Sequence, residues 1–274
     1  MDTVISRDGT PIAYRRAGTG APIIFASGVF NDHTTCTPLA DLLETEHTVV
    51  VYDRRGRGHS GDTGPYAVER EIDDLAALID EVGGTAAVFG FSSGAVLALR
   101  AAADGLPITH LALYEPPFVV GADGKGATED DVARIRPVDR LDRLTDLVAQ
   151  GHAGDAVALF QTAHLGLPPE MVEGARQSPM WPGLESMAQS MVYDATLTTV
   201  LAVPTAAMIA VTTPTAVING AETWPGLRTA AIRLAADLSS AQHIELAGGA
   251  NHTIAPEPTA QAVREFLARN TGGR

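Results

Sequence analysis

Cysteine is nearly missing from this 274-residue chain, since Cys36 is the single one. One cysteine excludes an internal disulfide, and chains without disulfides are typical of reducing compartments. Basic residues are also scarce: 19 lysines and arginines stand against 33 aspartates and glutamates, which gives a formal net charge of −14. Such a charge repels phosphate backbones and anionic membrane surfaces, so we expect neither nucleic acid nor a membrane as a partner.

Long apolar runs are absent as well. The start, MDTVISRDGTPIAYRR, contains no apolar core of the length found in signal peptides. No later stretch stays apolar over the roughly 20 residues that a membrane-spanning helix needs. We therefore expect a cytoplasmic protein that acts on a small molecule, and the sequence leaves open whether it is a monomer or a homo-oligomer.

Compact apolar runs alternate with amphipathic stretches along the first part of the chain. The runs PIIFAS and HTVVVYD are rich in β-branched residues, which is typical of strands buried on both faces of a parallel sheet. The stretch VEREIDDLAALIDEV repeats apolar residues at helical spacing, at Ile72, Leu75, Ala76 and Ile79. This alternation predicts an α/β fold, with a mostly parallel sheet flanked by helices.

The alternation stops after Pro116 and Pro117 and resumes near residue 213. Between residues 119 and 212, segments such as DRLTDLVAQ and LESMAQSMVYDATL have helical patterns, and none reads as a buried strand. The runs TAVIN, WPGLRTAAIRLAADL, AQHIEL and PTAQAVREFLARN then restore strand and helix. We predict a core made of residues 1–118 and 213–274, interrupted by a helical insertion at 119–212.

The segment VFGFSSGAVL contains Gly90-Phe91-Ser92-Ser93-Gly94, which fits the pattern G-x-S-x-G. In a nucleophile elbow a strand turns sharply into a helix, and the central serine, here Ser92, stands above the sheet. Small residues are needed at Gly90 and Gly94 because strand and helix approach each other closely. An ordinary glycine-rich turn is the alternative, but the apolar strand before and the helix after favour the elbow.

A serine hydroxyl becomes a useful nucleophile only when a base takes its proton and a third group orients that base. On this kind of scaffold the expected chain order is serine, acid, histidine. His252 lies in the glycine-rich loop LAGGANHTIAPEP, between the last strand and the last helix, from where a base can reach the elbow. We therefore predict Ser92 as the nucleophile and His252 as the base.

The elbow GFSSGA, the turn DRRGRGHSG, the strand end YEPP and the loop GANH together resemble the α/β-hydrolase superfamily, and the resemblance covers nearly the whole chain. It implies that the helical insertion is a cap over the substrate pocket. It also implies an oxyanion hole, a pair of backbone N–H groups that binds the developing negative charge, here from Val29 and Ser93. The usual His-Gly before this site is Ser27-Gly28 here, which leaves the backbone donors in place.

The acid of the triad is the open point. The superfamily usually offers G-x-x-D after the seventh strand, whereas NGAETWPG places Thr223 at the position of the aspartate. Its neighbour Glu222 is one substitute. The other is Glu115, which ends the sixth strand, where some haloalkane dehalogenases of the superfamily carry the acid. We favour Glu115 because Pro116 and Pro117 hold the chain rigid beyond it, and we keep Glu222 as the alternative.

No cofactor or metal is expected, because no histidine pair stands at ligand spacing with carboxylates along the chain. The turn after the fourth strand carries three arginines, which resemble an anion site. We interpret this turn as a structural loop shaped by its glycines; the three arginines are Arg54, Arg55 and Arg57.

A serine nucleophile with a backbone oxyanion hole suits acyl transfer. We therefore expect a serine hydrolase that acts, through an acyl-enzyme, on carboxylic esters or lactones of small apolar molecules. Phe30, Phe91 and Trp181 are predicted to line its substrate pocket. Two alternatives remain: another chemistry on the same fold, such as C–C hydrolysis, perhydrolysis or natural-product tailoring, and a ligand-binding pseudoenzyme. The missing aspartate and the altered Ser27-Gly28 loop keep the second alternative open.

Overall fold

An eight-stranded sheet forms the centre of the computed structural model, which describes residues 1–270. The sheet order is β1-β2-β4-β3-β5-β6-β7-β8, with antiparallel pairing of β1 with β2 and of β2 with β4, and parallel pairing from β4 to β8. The strands are β1 (Asp2–Ile5), β2 (Pro11–Ala17), β3 (Pro22–Ala26), β4 (Thr48–Tyr52), β5 (Ala86–Phe91), β6 (Ile108–Tyr114), β7 (Thr215–Gly220) and β8 (Ala241–Leu246). The predicted α/β class with a mostly parallel sheet is confirmed.

Helices cover both faces of this sheet. In chain order they are α1 (His33–Leu43), α2 (Val68–Glu81), α3 (Ser93–Ala103), α4 (Glu129–Ile135), α5 (Val138–Ala149), α6 (Ala153–Leu159), α7 (Pro169–Arg176), α8 (Trp181–Ser186), α9 (Ala188–Val200), α10 (Ala206–Ile209), α11 (Pro225–Asp237) and α12 (Pro256–Asn270). Apolar side chains of α2, α3 and α11 pack on one face, and those of α1 and α12 pack on the other. Strands β4 and β5 are buried along their whole length, which explains why their sequences are continuously apolar.

Seven of these helices, α4 to α10, lie between β6 and β7, within the segment predicted to be a helical insertion. They have a hydrophobic core of their own, which includes Leu144, Val157, Phe160, Trp181 and Met191. A five-residue π-helix, Phe160–His164, continues α6. Within residues 1–270, no helix combines the length and the apolar character that a bilayer crossing requires.

Candidate active site

Ser92 occupies a sharp turn between β5 and α3. Its backbone lies at φ 57° and ψ −122°, in a region that residues with a side chain rarely adopt. The glycines of the motif permit the close approach of strand and helix. A Cβ on Gly94 would lie 2.2 Å from the carbonyl oxygen of Ala26, and one on Gly90 would lie 2.5 Å from the Cα of Ala95. The segment therefore has the backbone geometry of a nucleophile elbow.

The structure brings Ser92, His252 and Glu115 together in a hydrogen-bonded line. The imidazole Nε2 of His252 lies 2.9 Å from the Ser92 hydroxyl oxygen, and its Nδ1 lies 2.5 Å from Glu115 Oε2. Glu115 is fully buried, and its other oxygen accepts the backbone N–H of Gly220 at 2.9 Å. The imidazole thus contacts a hydroxyl on one side and a fixed carboxylate on the other.

Glu222, the alternative acid, lies elsewhere. Glu222 is exposed. Its backbone carbonyl accepts the N–H of Asn251 at 3.3 Å, and this is its contact with the histidine loop. Thr223 stands at the position where the superfamily usually has aspartate, and its hydroxyl is buried without a hydrogen-bond partner in the described part of the chain. Of the two glutamates, Glu115 is therefore the one placed at the imidazole.

Backbone strain is concentrated around this line of residues. Among residues 1–270, positive φ angles outside glycine occur at Phe30, Ser92, Glu115, Asn251 and His252. Each costs on the order of 1 kcal/mol or more, and such residues persist where the surrounding structure holds them in place. Three of the five carry the hydrogen-bonded side chains, so the strain places functional groups rather than closing ordinary turns.

Two aromatic rings pack against the imidazole. The ring centre of Phe91 lies 4.9 Å from that of His252, and the ring centre of Trp224 lies 5.6 Å from it. The hydroxyl of Tyr114 donates to the backbone carbonyl of Thr253 at 2.9 Å, which anchors the histidine loop to the end of β6. Sequence reasoning missed Trp224, which follows β7 in a segment without a recognisable motif.

Val29 and Ser93, the predicted oxyanion-hole residues, line the same cavity as Ser92 and His252. Neither backbone N–H has a hydrogen-bond acceptor within residues 1–270. Gly28 allows the loop to approach the serine, because a Cβ there would lie 2.8 Å from the Cβ of Ser92. The two N–H groups are therefore available beside the hydroxyl.

The arginines of the turn after β4 are buried ion-pair partners. Arg54 donates to Glu71 through Nε at 2.6 Å and Nη2 at 2.7 Å, and Arg55 contacts both oxygens of Asp74 in the same manner. Burial alone would raise the pKa of Glu71, but the Arg54 guanidinium outweighs it and holds that pKa below its usual value. These contacts agree with the interpretation of the turn as structural.

Asp194, on helix α9 of the insertion, joins this network to the site. Its carboxylate accepts the hydroxyl of Ser93 at 2.6 Å and Nη1 of Arg54 at 2.7 Å, and it also binds Arg57. Arg57 in turn donates to the backbone carbonyl of Gly28 at 2.5 Å. One buried carboxylate of the insertion thus supports both segments that carry the available N–H groups, a role that no local sequence pattern indicated.

The cavity above Ser92 has a volume of about 890 Å³ and mostly apolar walls. Apolar side chains around it include Phe118, Phe160, Leu167, Trp224 and Leu227. The insertion supplies one wall, and the segments after β6 and β7 supply the others. A small organic molecule fits a space of this size.

The three residues predicted to line the pocket do not line it, so this prediction is wrong. Trp181 is buried in the core of the insertion, where its indole N–H donates to Glu185 at 2.9 Å. Phe30 packs edge-on against Phe160, with ring centres 5.6 Å apart, and Phe91 lies behind the imidazole. Each of these three side chains packs against a neighbouring ring or helix instead of facing the cavity.

The possible ligand atoms of two histidines and an aspartate lie close together near the start of α1, although the sequence shows no histidine pair at ligand spacing with carboxylates. The ligand atoms of His33, Asp53 and His59 lie within 4.8 Å of one another. Both oxygens of Asp53 already accept a backbone N–H at 2.8 Å, one from His33 and one from His59. The carboxylate therefore joins the turn after β4 to the start of α1, which accounts for its burial.

Comparison with known proteins gives a family model and solved structures that match most of the chain. The model of the Alpha/beta hydrolase family matches residues 18–266. The solved structure of an alpha/beta hydrolase from Sphaerobacter thermophilus is 44% identical and covers 97% of this chain and 100% of that one, with a TM-score of 0.86. An enol-lactonase from Burkholderia xenovorans shares the fold at 21% identity, covering 97% of this chain and 100% of that chain, with a TM-score of 0.68.

Curated relatives match over shorter segments. An uncharacterized hydrolase, YraK, from Bacillus subtilis is 37% identical over 95 residues, which are 33% of this chain and 35% of that protein. A non-heme haloperoxidase from Rhodococcus erythropolis is 32% identical over 85 residues, 30% of this chain and 31% of that protein. The match spans about a third of the length of these curated relatives.

Proposed function

The chain belongs to the alpha/beta hydrolase family, and from this premise we propose that it is a serine hydrolase with Ser92, His252 and Glu115 as its catalytic triad. One observation carries the proposal: the imidazole of His252 lies 2.9 Å from the Ser92 hydroxyl and 2.5 Å from the Glu115 carboxylate. A hydroxyl, a base and a buried acid in this order are the groups that acyl transfer requires.

The first half of the reaction forms an acyl-enzyme. His252 Nε2 takes the proton of the Ser92 hydroxyl as its oxygen attacks the carbonyl carbon of the substrate. Glu115 accepts the hydrogen bond from Nδ1 and stabilises the imidazolium that forms. The N–H groups of Val29 and Ser93 bind the negative oxygen of the tetrahedral intermediate, each worth roughly 3 kcal/mol. The imidazolium then gives its proton to the leaving alkoxide, and the C–O bond breaks.

The second half releases the acid. A water molecule gives one proton to His252, and the oxygen of this water attacks the carbonyl carbon of the acyl-enzyme. Collapse of this intermediate returns the proton to the Ser92 oxygen and frees the carboxylic acid. The mostly apolar cavity of about 890 Å³ suits small carboxylic esters or lactones.

A serine-directed fluorophosphonate probe tests the proposal. We expect one probe per wild-type chain, no labelling of Ser92→Ala, and full labelling of the matched control Ser186→Ala, whose exposed hydroxyl donates to the Gly183 carbonyl on its own helix. Wild type is also expected to release a burst of nitrophenol from 4-nitrophenyl esters. Labelling that survives in Ser92→Ala contradicts the assignment, and an unlabelled, inactive wild type favours a ligand-binding pseudoenzyme.

A further inference from the structure

Arg136, immediately after helix α4, lines the cavity that holds Ser92 and His252. Its Nη1 donates to the backbone carbonyl of His164 at 3.0 Å. Its Nε is buried and has no hydrogen-bond partner among residues 1–270. Within residues 1–270, no carboxylate forms an ion pair with this guanidinium, and its charged neighbour is another arginine, Arg140.

Arg136 is half-buried, and the fully buried arginines show how unusual its missing counter-charge is. Arg54, Arg55 and Arg57 each bind at least one carboxylate. Removing a cation even partly from water without an opposite charge is unfavourable, and a chain with 33 acidic residues has many ways to supply one. An unpaired guanidinium in the wall of a substrate cavity therefore points to an anion that comes from outside the chain.

Arg136 keeps its charge at neutral pH. Burial, followed by the nearby Arg140, lowers the pKa of Arg136 to about 10, which is still above neutrality.

Burial, followed by Arg136 and Arg140, holds the pKa of His164 well below its usual value, so that imidazole is uncharged. The hydroxyl of Thr198 donates to the backbone carbonyl of Asp194 at 2.8 Å, so its oxygen accepts Nε2–H of His164 at 3.1 Å.

The remaining charges of the lining are balanced. Asp194 also faces the cavity, but Arg54 and Arg57 neutralise its carboxylate. His252 is paired with Glu115. Among the charged side chains that line this cavity within residues 1–270, Arg136 is thus the one without a counter-charge, and it shares the cavity with the Ser92 hydroxyl.

We propose that Arg136 binds a carboxylate of the substrate, so that the enzyme acts on esters or lactones that carry a second, ionised carboxylate away from the scissile bond. This inference rests on the proposed function. The planar guanidinium presents parallel N–H donors that match the two oxygens of a carboxylate. Nη1 contacts the His164 carbonyl, whereas Nη2 has no acceptor among residues 1–270 and is available as one of these donors, and the apolar surroundings strengthen the attraction.

Two esters of similar length measure the effect of a substrate carboxylate apart from the effect on ester cleavage. They are mono-4-nitrophenyl glutarate, which has a free carboxylate, and neutral 4-nitrophenyl hexanoate. The readout is the ratio of kcat/KM for the glutarate to that for the hexanoate. We expect Arg136→Gln to lower this ratio about 10- to 100-fold, mainly through KM, because a charge-assisted contact is lost. Arg136→Lys is expected to keep part of this ratio, since lysine retains the positive charge but lacks the parallel N–H donors of the guanidinium.

Arg134→Gln is the matched control, because Arg134 lies two residues earlier, on helix α4, but is exposed and paired with Asp131. It is expected to keep the wild-type ratio. A wild type that does not prefer the glutarate ester, or an unchanged ratio in Arg136→Gln, overturns the proposal. Thermal melting of each variant verifies folding, and use of a ratio removes any general loss of activity.

Binding distinguishes a failure of this proposal from a failure of the proposed function. If wild type hydrolyses neither ester, the hydrolase proposal fails, and calorimetric titration with free glutarate still tests Arg136. Saturable binding to wild type and Ser92→Ala that is lost in Arg136→Gln supports the carboxylate site. Equal binding to wild type and Arg136→Gln, no binding at all, or tighter binding of inorganic phosphate than of glutarate overturns it.

Discussion

Glu115 uses both oxygens of its carboxylate. One contacts Nδ1 of His252, and the other accepts the N–H of Gly220 from the neighbouring strand β7. The residue is fully buried and held at φ 49°, so the carboxylate has little freedom to move. An acid fixed in this way orients the imidazole and selects the tautomer with its proton on Nδ1.

The first prediction concerns this acid. Glu115→Gln is expected to lower kcat for a 4-nitrophenyl ester by up to about 10⁴, because the amide removes the charge that stabilises the imidazolium. Glu222→Gln, the matched control, is expected to change kcat less than about threefold. Circular dichroism verifies that both variants are folded. A larger loss in Glu222→Gln would assign the acid to the other glutamate.

Helix α9 contacts the core through several buried side chains, and one of them, Asp194, reaches the elbow. Asp194 contacts Ser93, which follows the elbow serine, and Arg57, which binds the carbonyl of Gly28. The insertion therefore does more than form one wall of the cavity. Through Asp194 it supports the two backbone segments that flank the Ser92 hydroxyl.

The second prediction follows from this link. Asp194→Asn leaves Arg54 and Arg57 with too little opposite charge in a buried place, so we expect a loss of about 3–5 kcal/mol in the free energy of unfolding. The kcat for a 4-nitrophenyl ester falls as well, because the segment at Ser93 loses its support. Urea unfolding and initial rates measure the two effects.

Asp155→Asn is the control for that experiment. Asp155 also lies in the insertion and pairs with an arginine, Arg176, but its carboxylate is exposed. Exposed pairs contribute less than about 1 kcal/mol. If Asp155→Asn and Asp194→Asn lowered the free energy of unfolding by similar amounts, burial of the Asp194 carboxylate would have no special effect.

All five tyrosines of the chain have raised pKa values in the folded molecule. Burial, followed by the nearby Glu81, raises the pKa of Tyr14 to about 12. For the other four, burial is likewise the first cause; they are Tyr52, Tyr66, Tyr114 and Tyr193. Each phenol thus keeps its proton in the folded state at a pH where an unfolded tyrosine loses it.

The third prediction is a cooperative alkaline transition. The tyrosines contribute this stability fully below about pH 10, the pKa of an unfolded tyrosine, and it is lost as the pH rises toward the folded values. We expect tyrosinate absorbance and loss of far-ultraviolet circular dichroism to follow one curve above pH 10. Tyrosines that ionise near pH 10 in a chain with intact secondary structure would contradict this.

Cys36 supplies an internal control for the alkaline transition. It is buried, and burial raises the pKa of its thiol to about 12. Its reaction with a thiol reagent is therefore expected to begin only when the tertiary structure opens, together with the tyrosine signal. Early reaction of the thiol would indicate local opening near α1 instead of a global transition.

The sequence by itself determined the features that depend on near neighbours. Strand and helix patterns are set by residues a few positions apart, so the α/β alternation, the helical character of the segment after β6 and the turn around Ser92 were all predictable. The elbow motif and the glycine-rich loop also identified Ser92 and His252 as candidates, and the structure places their side chains 2.9 Å apart. For the acid, order along the chain left Glu115 and Glu222 equal.

Only the tertiary structure decided between the two glutamates, because the ends of β6 and β7 lie side by side and place Glu115 at the imidazole. The tertiary structure also shows Trp181 in the core of the insertion instead of the pocket, and it shows Arg136 and Asp194 in the wall of the pocket. Ser93 and Asp194 are 101 positions apart, and Arg54 and Asp194 are 140 apart. Contacts at such separations depend on how whole elements pack and which charges are buried together, and no local pattern of residues records that.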